Sequence, residues 1–173
     1  MACIYDHGAV PVDLGPLIAA VQAVPINGWI FRSDRESDRT CAAREDSAGF
    51  PRALVASVID AAVAAYLPAG YQNRLVLSCV PAGAEILPHR DDFGDVVRRA
   101  SFHCHIPLIT SPEAVLGFPA ISRVDHLEIG RLYSIDETEE HYVKNPSATD
   151  RVHLLFAHFP HDGRGRPFFK FGD

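Results

Sequence analysis

The sequence predicts a mainly β domain with N-terminal helices, in which short strands close into a jelly-roll or cupin-like barrel (a double-stranded β-helix). Two apolar patterns of helical period lie before residue 70, and six short strand-like runs follow with no helix between them. Parallel neighbours would need long crossovers, so these strands are expected to pair as antiparallel neighbours. We expect one domain over residues 1–173, with helical support over about 12–67 and the jelly-roll core over about 74–160.

The helical support is predicted from two segments. Val12 to Val24 repeats apolar side chains at helical spacing, and Pro25 marks its end. Pro51 opens the second pattern, because proline is favoured at the first helical position, and Pro68-Ala69-Gly70 ends it. A dense mixed-charge stretch, Arg32 to Arg39, separates the two helices. It is predicted to be a solvated loop, with a mobile lid over a site as the alternative.

The predicted strands are short runs rich in apolar residues, bounded by clusters of Gly, Pro, Asn and Asp. They are Trp29–Phe31, Arg74–Val80, Ala100–Ile109, Ser122–Glu128, Arg131–Ile135, His141–Val143 and Arg151–Phe159. The first lies between the two helices, and the other six make up the predicted core.

Two of these strands have polar side chains on one face only. Because strand side chains alternate between faces, His103 and His105 share a face of one strand, and Arg151 and His153 share a face of another. Either these faces look at water, as in a half-exposed antiparallel sheet, or they line the mouth of a barrel that binds a ligand. The strand pattern alone favours the first interpretation.

His89-Arg90-Asp91 is the candidate metal-binding pair. In an extended segment its imidazole and carboxylate lie on one side, where both can bind one ion. A second histidine from a distant strand would complete the two-histidine, one-carboxylate arrangement that suits non-haem Fe(II) and oxygen. The spacing alone is weak, because the chain has nine histidines and His126-Leu127-Glu128 is a rival pair. The downstream order of His141 and then Arg151 favours the first pair.

With these residues the chain resembles the aspartyl/asparaginyl β-hydroxylase-like branch of the 2-oxoglutarate-dependent oxygenases, including the bacterial cis-proline hydroxylases. The resemblance covers about Leu75 to Pro160. It rests on three motifs in order along the chain: His89-Arg90-Asp91, Phe102-His103-Cys104-His105-Ile106-Pro107-Leu108, and His141 followed by Arg151-Val152-His153-Leu154-Leu155-Phe156.

The resemblance implies three Fe(II) ligands, namely His89, Asp91 and His141. It implies that Arg151 pairs with the distal carboxylate of 2-oxoglutarate, since a guanidinium fits a carboxylate in a bidentate manner. His105 would contact the cosubstrate as well, and His153 is a weaker candidate for the same pocket. The implied activity is a dioxygenase reaction with Fe(II), 2-oxoglutarate and O2, hydroxylating an amino acid or an amino-acid-derived small molecule.

Charge and hydropathy limit the other partners. The formal net charge is −6, from 16 basic and 22 acidic residues, and an acidic surface disfavours general nucleic-acid binding. The most apolar run, Leu54 to Leu67, contains Asp60 and is shorter than the roughly 20 residues needed to span a bilayer. No secretory signal is visible at the start of the sequence. We therefore expect a cytoplasmic protein that binds neither nucleic acid nor membranes.

Two other functions stay open on the sequence alone. One is a cupin-like metalloprotein that does not use 2-oxoglutarate, for which metal binding would be indifferent to Arg151→Ala. The other is a non-catalytic ligand-binding module, for which neither a bound transition metal nor succinate formation is expected.

Overall fold

The computed structural model describes residues 3–31, 40–91 and 102–161, which form eleven strands and two α-helices. The helices are α1 (Gly15–Gln22) and α2 (Arg52–Tyr66), and short 3-10 turns lie at Ile26–Gly28 and Pro119–Ile121. The strands are β1 (Ile4–Ala9), β2 (Ile30–Phe31), β3 (Cys41–Arg44), β4 (Gly70–Val80), β5 (Glu85–His89), β6 (Phe102–Ile109), β7 (Val115–Phe118), β8 (Arg123–Asp125), β9 (Arg131–Ile135), β10 (His141–Lys144) and β11 (Arg151–Pro160).

These strands form two antiparallel sheets. The large sheet has seven strands in the order β1-β9-β6-β11-β4-β3-β2, and the small sheet has four in the order β5-β10-β7-β8. The longest strands, β4 and β11, lie side by side in the large sheet. The prediction of a mainly β fold with N-terminal helices and antiparallel strands is confirmed.

The helices cover one face of the large sheet. Leu17 of α1 and Val55 of α2 are almost fully buried, and they belong to the same apolar cluster as Leu77, Ile106 and Leu154 of the large sheet. Burying a side chain such as Leu154 contributes about 1.5–3 kcal/mol. Among the described residues, neither helix has both the length and the apolar character that crossing a membrane requires.

A second apolar cluster packs the two sheets against each other. Phe118 and Val143 of the small sheet pack with Val80, Tyr133 and Ile135 of the large sheet. The cluster does not include His103, His105 or Arg151, the polar residues of the inner face of the large sheet. The sheets are therefore held together beside these polar side chains.

Most predicted elements are present, with shifted ends. Both helices begin later than the apolar pattern suggested; Val12, for example, is exposed and precedes α1. The strand predicted over Ser122–Glu128 was too long, because β8 ends at Asp125 and the Nδ1–H of His126 donates to the carbonyl of Ala114 (3.1 Å) instead of joining a ladder. The possible lid over Arg32–Arg39 lies outside the described residues.

Four strands were not predicted, and each has a weak sequence pattern. β3 contains two alanines, which have low β propensity, and β7 contains a glycine. β5 contains Pro88, which is tolerated because this strand lies at the edge of the small sheet. β1 is also an edge strand and is mostly exposed, so it lacks a clear apolar alternation.

Candidate metal and cosubstrate site

A cavity of about 700 Å³ lies between the two sheets. Its lining includes five of the six predicted site residues: His89, Asp91, His105, His141 and Arg151. The sixth, His153, is fully buried and bonded to Arg151. The interpretation that the polar strand faces look at water is therefore wrong, since all four side chains are buried and three of them, His103, His105 and Arg151, line the cavity.

The predicted metal ligands converge at one end of the cavity. Antiparallel pairing of β5 and β10 places His89 directly opposite His141, with ring centroids 4.3 Å apart. Asp91 follows β5, and its Oδ1 is 3.8 Å from Nε2 of His89. One potential ligand atom from each of these three residues lies within 4.8 Å of the other two, so the set has the geometry to hold one metal ion.

Both metal-site histidines are held in the same way by the backbone. Nδ1–H of His89 donates to the carbonyl of Leu87 (2.8 Å), and Nδ1–H of His141 donates to the carbonyl of Glu139 (2.9 Å). A carbonyl only accepts, so Nδ1 must bear the proton and Nε2 keeps its lone pair when the ring is neutral. Burial lowers the pKa of His141 and outweighs the opposing hydrogen bond to Glu139, which favours the neutral form that binds metals.

Asp91 is fixed by its main chain. Its N–H donates to the carbonyl of Glu137 (3.0 Å), on the segment that leads into β10. Its side chain is 38% exposed and that of His89 is 24% exposed, whereas His141 is 5% exposed, so solvent reaches this end of the cavity from the side of Asp91 and His89. Two strands and one turn thus bring together an imidazole, a carboxylate and a second imidazole from positions about fifty residues apart.

Arg151 lies on the opposite wall, at the start of β11. It is 5% exposed, and its Nη2–H donates to Nδ1 of His153 (3.2 Å). No carboxylate within the described residues forms an ion pair with it. Burial lowers the pKa of Arg151 to about 9, with Cys79 opposing that shift. A buried guanidinium without a counter-charge is costly, so this position favours an anionic ligand.

Two buried histidine nitrogens near Arg151 lack a hydrogen-bond partner within the described part of the chain, namely Nε2 of His153 and Nδ1 of His105. Because Nδ1 of His153 accepts from Arg151, its Nε2 is the protonated nitrogen. The two rings meet edge to face with centroids 6.1 Å apart. Such unpaired buried polar atoms are uncommon in proteins and are expected where a ligand binds.

Glu137 is a cavity residue that the sequence did not reveal. Its Oε1 accepts a hydrogen bond from Nε2 of His105 (2.7 Å), and its Oε2 is 3.5 Å from Nδ1 of His103. Burial alone would raise the pKa of this carboxyl, but the His105 hydrogen bond and the charges of His105, His103 and His141 outweigh it and hold the pKa at about 2. Nothing in the acidic run Asp136 to Glu140 marks this residue as the buried one.

Asn145 was also missed, and it joins the two sheets beside the cavity. Its amide Nδ2 donates to the carbonyls of Val80, Pro81 and Thr149 at 2.8–3.1 Å, and its Oδ1 accepts from the hydroxyl of Ser147. Val80 ends β4 and Thr149 precedes Arg151, so this amide fixes the turn from which Arg151 enters the large sheet.

The fold has counterparts among solved structures. A prolyl-4-hydroxylase from Pseudomonas putida matches with a TM-score of 0.62 at 15% identity, covering 92% of this chain and 93% of that one. A 2OG-Fe(II) oxygenase family oxidoreductase from Burkholderia pseudomallei matches with a TM-score of 0.60 at 15% identity, covering 88% and 81%. The non-heme alpha ketoglutarate dependent carbocyclase of nogalamycin biosynthesis gives 0.65 at 10% identity, covering 91% and 79%. These likenesses define the double-stranded β-helix fold.

The family model described as aspartyl/asparaginyl beta-hydroxylase matches residues 53–160, more than half of the chain. The protein therefore belongs to the aspartyl/asparaginyl β-hydroxylase family. No match was found among curated proteins. Membership makes it an enzyme of the 2-oxoglutarate-dependent Fe(II) oxygenase class, which uses Fe(II), 2-oxoglutarate and O2. The family indicated by the sequence motifs, the predicted fold class and the predicted cofactors are confirmed.

The residues in and beside the cavity fit both Fe(II) and 2-oxoglutarate. His89, Asp91 and His141 offer two imidazole nitrogens and a carboxylate oxygen, the donor set of non-haem Fe(II) oxygenases. Arg151 and the unpartnered nitrogens of His105 and His153 offer cationic and polar contacts on the facing wall, as a dianionic keto acid requires. The particular role of each residue is taken up below as a proposal.

Proposed function

We propose that His89, Asp91 and His141 bind Fe(II), that Arg151 binds the distal carboxylate of 2-oxoglutarate with help from His105 and His153, and that the enzyme hydroxylates an amino acid or an amino-acid-derived small molecule. One observation supports this assignment most: three potential metal ligands line the same cavity as a buried arginine that has no carboxylate partner among the described residues. A buried guanidinium is costly in a purely structural barrel, and its position in the same cavity as the three potential ligands favours a binding site.

Each group has a defined task. The carbonyls of Leu87 and Glu139 hold the two histidine rings so that their Nε2 atoms face the metal position. The bound Fe(II), 2-oxoglutarate and O2 together supply the oxidising power for attack on a C–H bond. Arg151 fixes the cosubstrate by charge and geometry at the buried end. Positioning matters, because a displacement of about 1 Å can lower a rate roughly a hundredfold.

The size and the setting of the cavity support a small substrate. A volume of about 700 Å³ lies within the range of small-molecule sites and leaves room beside the cosubstrate for a molecule of amino-acid size. The family description refers to aspartyl and asparaginyl residues, and one structural neighbour is a prolyl-4-hydroxylase. Amino-acid chemistry is therefore the substrate class that we propose.

The central experiment is spectroscopic and needs no substrate. Fe(II) and 2-oxoglutarate added to the protein under anaerobic conditions should produce a weak visible charge-transfer band. His89→Ala should abolish it, because one imidazole ligand is lost. His126→Ala is the matched control, since His126 bonds to the carbonyl of Ala114 outside this cavity, and it should keep the band. Well-folded wild-type protein without a band would refute the proposed site.

The same assay separates the alternative of a metal site that does not use 2-oxoglutarate. In that case Arg151→Ala would leave every metal-dependent property unchanged. The proposal instead requires Arg151→Ala to bind Fe(II) normally and to lose the band at 2-oxoglutarate concentrations that saturate the wild type.

The substrate class is tested by succinate release. Free amino acids, dipeptides and longer peptides are compared for their ability to stimulate it with Fe(II), 2-oxoglutarate and oxygen. Stimulation by one or a few free amino acids or close derivatives is the expected result. Stimulation by long peptides alone would overturn this part of the proposal and leave the assignment of the metal site intact.

A further inference from the structure

Glu137 connects the two walls of the cavity in a way that the proposed metal and cosubstrate ligands do not explain. Its side chain bonds to His105 on the large sheet, while its main-chain carbonyl accepts the N–H of Asp91 at the metal end. The side chain is 11% exposed and lines the cavity. Burying an ionised carboxylate is expensive unless it is paired, so the contact with His105 is the feature of this residue to be explained.

The hydrogen bond fixes the chemistry of the His105 ring. A carboxylate can only accept, so Nε2 of His105 must donate to Oε1 of Glu137. The bond, at 2.7 Å, has the length of a charge-assisted contact. It leaves Nδ1 as the second ring nitrogen, and this atom is buried and unpartnered within the described residues.

2-Oxoglutarate offers only acceptor oxygens to such a ring. His105 would therefore bind it as the imidazolium, in which both nitrogens donate: Nε2–H to Glu137 and Nδ1–H to the keto acid. Glu137 supplies the counter-charge for that form and fixes the ring orientation. Other charged or titratable groups around this pair are His103, 3.5 Å from the other carboxylate oxygen, His141, which acts on Glu137 through its charge, and Arg151 with His153 on the neighbouring strand.

We propose that Glu137 is a positioning residue for the cosubstrate, acting through His105 and not through the metal. This inference rests on the proposed function, because it assumes that 2-oxoglutarate lies against Arg151 and His105. It makes a specific prediction: the side chain of Glu137 controls 2-oxoglutarate affinity, while its main-chain contact to Asp91, which any residue keeps, leaves the metal end unchanged.

The test measures 2-oxoglutarate affinity by anaerobic titration of the charge-transfer band at saturating Fe(II). Glu137→Ala should weaken binding by about tenfold or more, the usual loss when a hydrogen bond to a charged group is removed. Glu137→Gln should lie between that variant and the wild type, because its amide oxygen still accepts from His105 but supplies no charge. Fe(II) affinity should change by less than about twofold in both variants, which a general loss of structure would not allow.

A double-mutant cycle shows whether Glu137 acts through His105. If it does, adding Glu137→Ala to His105→Ala should not weaken 2-oxoglutarate binding further. Additive losses would overturn the proposal, and so would unchanged 2-oxoglutarate affinity in Glu137→Ala, even if the KM of a cationic substrate rose. Should Glu137→Ala fail to fold, the same cycle with Glu137→Gln decides the question. Wild-type protein without a band would instead refute the proposed function itself.

Discussion

The two sheets contribute to the cavity in different ways. The small sheet, with Asp91 just after β5, presents the proposed metal ligands at an end that is open on one side: the side chains of Asp91 and His89 are 38% and 24% exposed, while His141 is 5% exposed. The large sheet presents Arg151 and His153 from its interior, and they are 5% and 0% exposed. Backbone carbonyls hold the first set, whereas the second set consists of side chains bonded to each other.

This difference corresponds to what each wall is proposed to bind. A metal ion must enter and exchange water, so its ligands can lie near the surface if their lone pairs are correctly directed. A carboxylate is bound more strongly by a guanidinium when water is excluded. Binding at the accessible wall (His89, Asp91 and His141) therefore depends on how the ligand atoms are oriented. Binding at the buried wall (Arg151 and His153) depends on a guanidinium that has no carboxylate partner among the described residues. The following changes test this division, beginning with the largest expected effect.

Asp91→Asn should lower turnover by more than a hundredfold, because it removes the anionic oxygen from the proposed metal ligands. Mutating a residue that only hydrogen-bonds to a metal ligand already lowers metal affinity or activity by about tenfold to a hundredfold. Succinate release and Fe(II) titration measure the effect. Asp125→Asn, which breaks a surface ion pair with Arg123, is the control and should keep wild-type activity. Full activity in Asp91→Asn would show that the accessible wall does not hold the metal.

Arg151→Lys should raise the KM for 2-oxoglutarate by about tenfold to a hundredfold with little change in Fe(II) affinity. Lysine keeps the charge but loses the planar fork that binds a carboxylate in a bidentate manner. The ratio of the two affinities is the informative quantity. Equal losses of metal and cosubstrate affinity would mean that the two walls do not work independently.

Asn145→Ala should reduce the free energy of unfolding by about 2 kcal/mol, since the two N–H groups that three buried or partly buried carbonyls share are lost at roughly 1 kcal/mol each. Chemical denaturation measures it. Because this amide joins the end of β4 to the turn before Arg151, 2-oxoglutarate affinity should fall more than Fe(II) affinity. Thr110→Ala, at a partly buried site that makes only a local bond, should cost well under that amount.

The smallest expected effect concerns pH and lies outside the cavity. Burial lowers the pKa of His7 to about 4, with Asp6 opposing the shift. Between about pH 6.5 and pH 4 the unfolded chain therefore binds a proton at this residue before the folded chain does, so stability falls as the pH falls through that range. His7→Asn should make this fall shallower in denaturation curves. Gln22→Ala, at an exposed residue that does not titrate, should leave the slope unchanged.

Strand alternation predicted much of the buried wall. It placed His103 with His105 and Arg151 with His153 on common faces, and the structure shows both pairs at or beside the cavity. Whether those faces met water or a cavity depended on the small sheet that covers them. That sheet includes β5 and β7, which local propensity did not reveal because of Pro88 and Gly117.

The order of motifs predicted the proposed metal ligands. Strand alternation relates His89 to Asp91 but not to His141, and the structure brings one potential ligand atom of each close together. Glu137 and Asn145 could not be found in this way, because their importance lies in contacts with distant parts of the sequence. Glu137 bonds to His105, 32 positions away, and Asn145 bonds to Val80, 65 positions away. The sequence around them is an acidic run and a polar turn, which are normally solvated.

The direct pairing of His89 with His141 has a mechanical consequence. These residues face each other across β5 and β10, the edge strand and its neighbour in the small sheet, so an ion bound to both rings would cross-link an edge strand to the sheet. Free energy of ion binding would then stabilise this pair of strands specifically. Amide protons of Ile86 and Val143 should exchange with deuterium more slowly in the metal-loaded protein, while the centre of the large sheet should be unaffected.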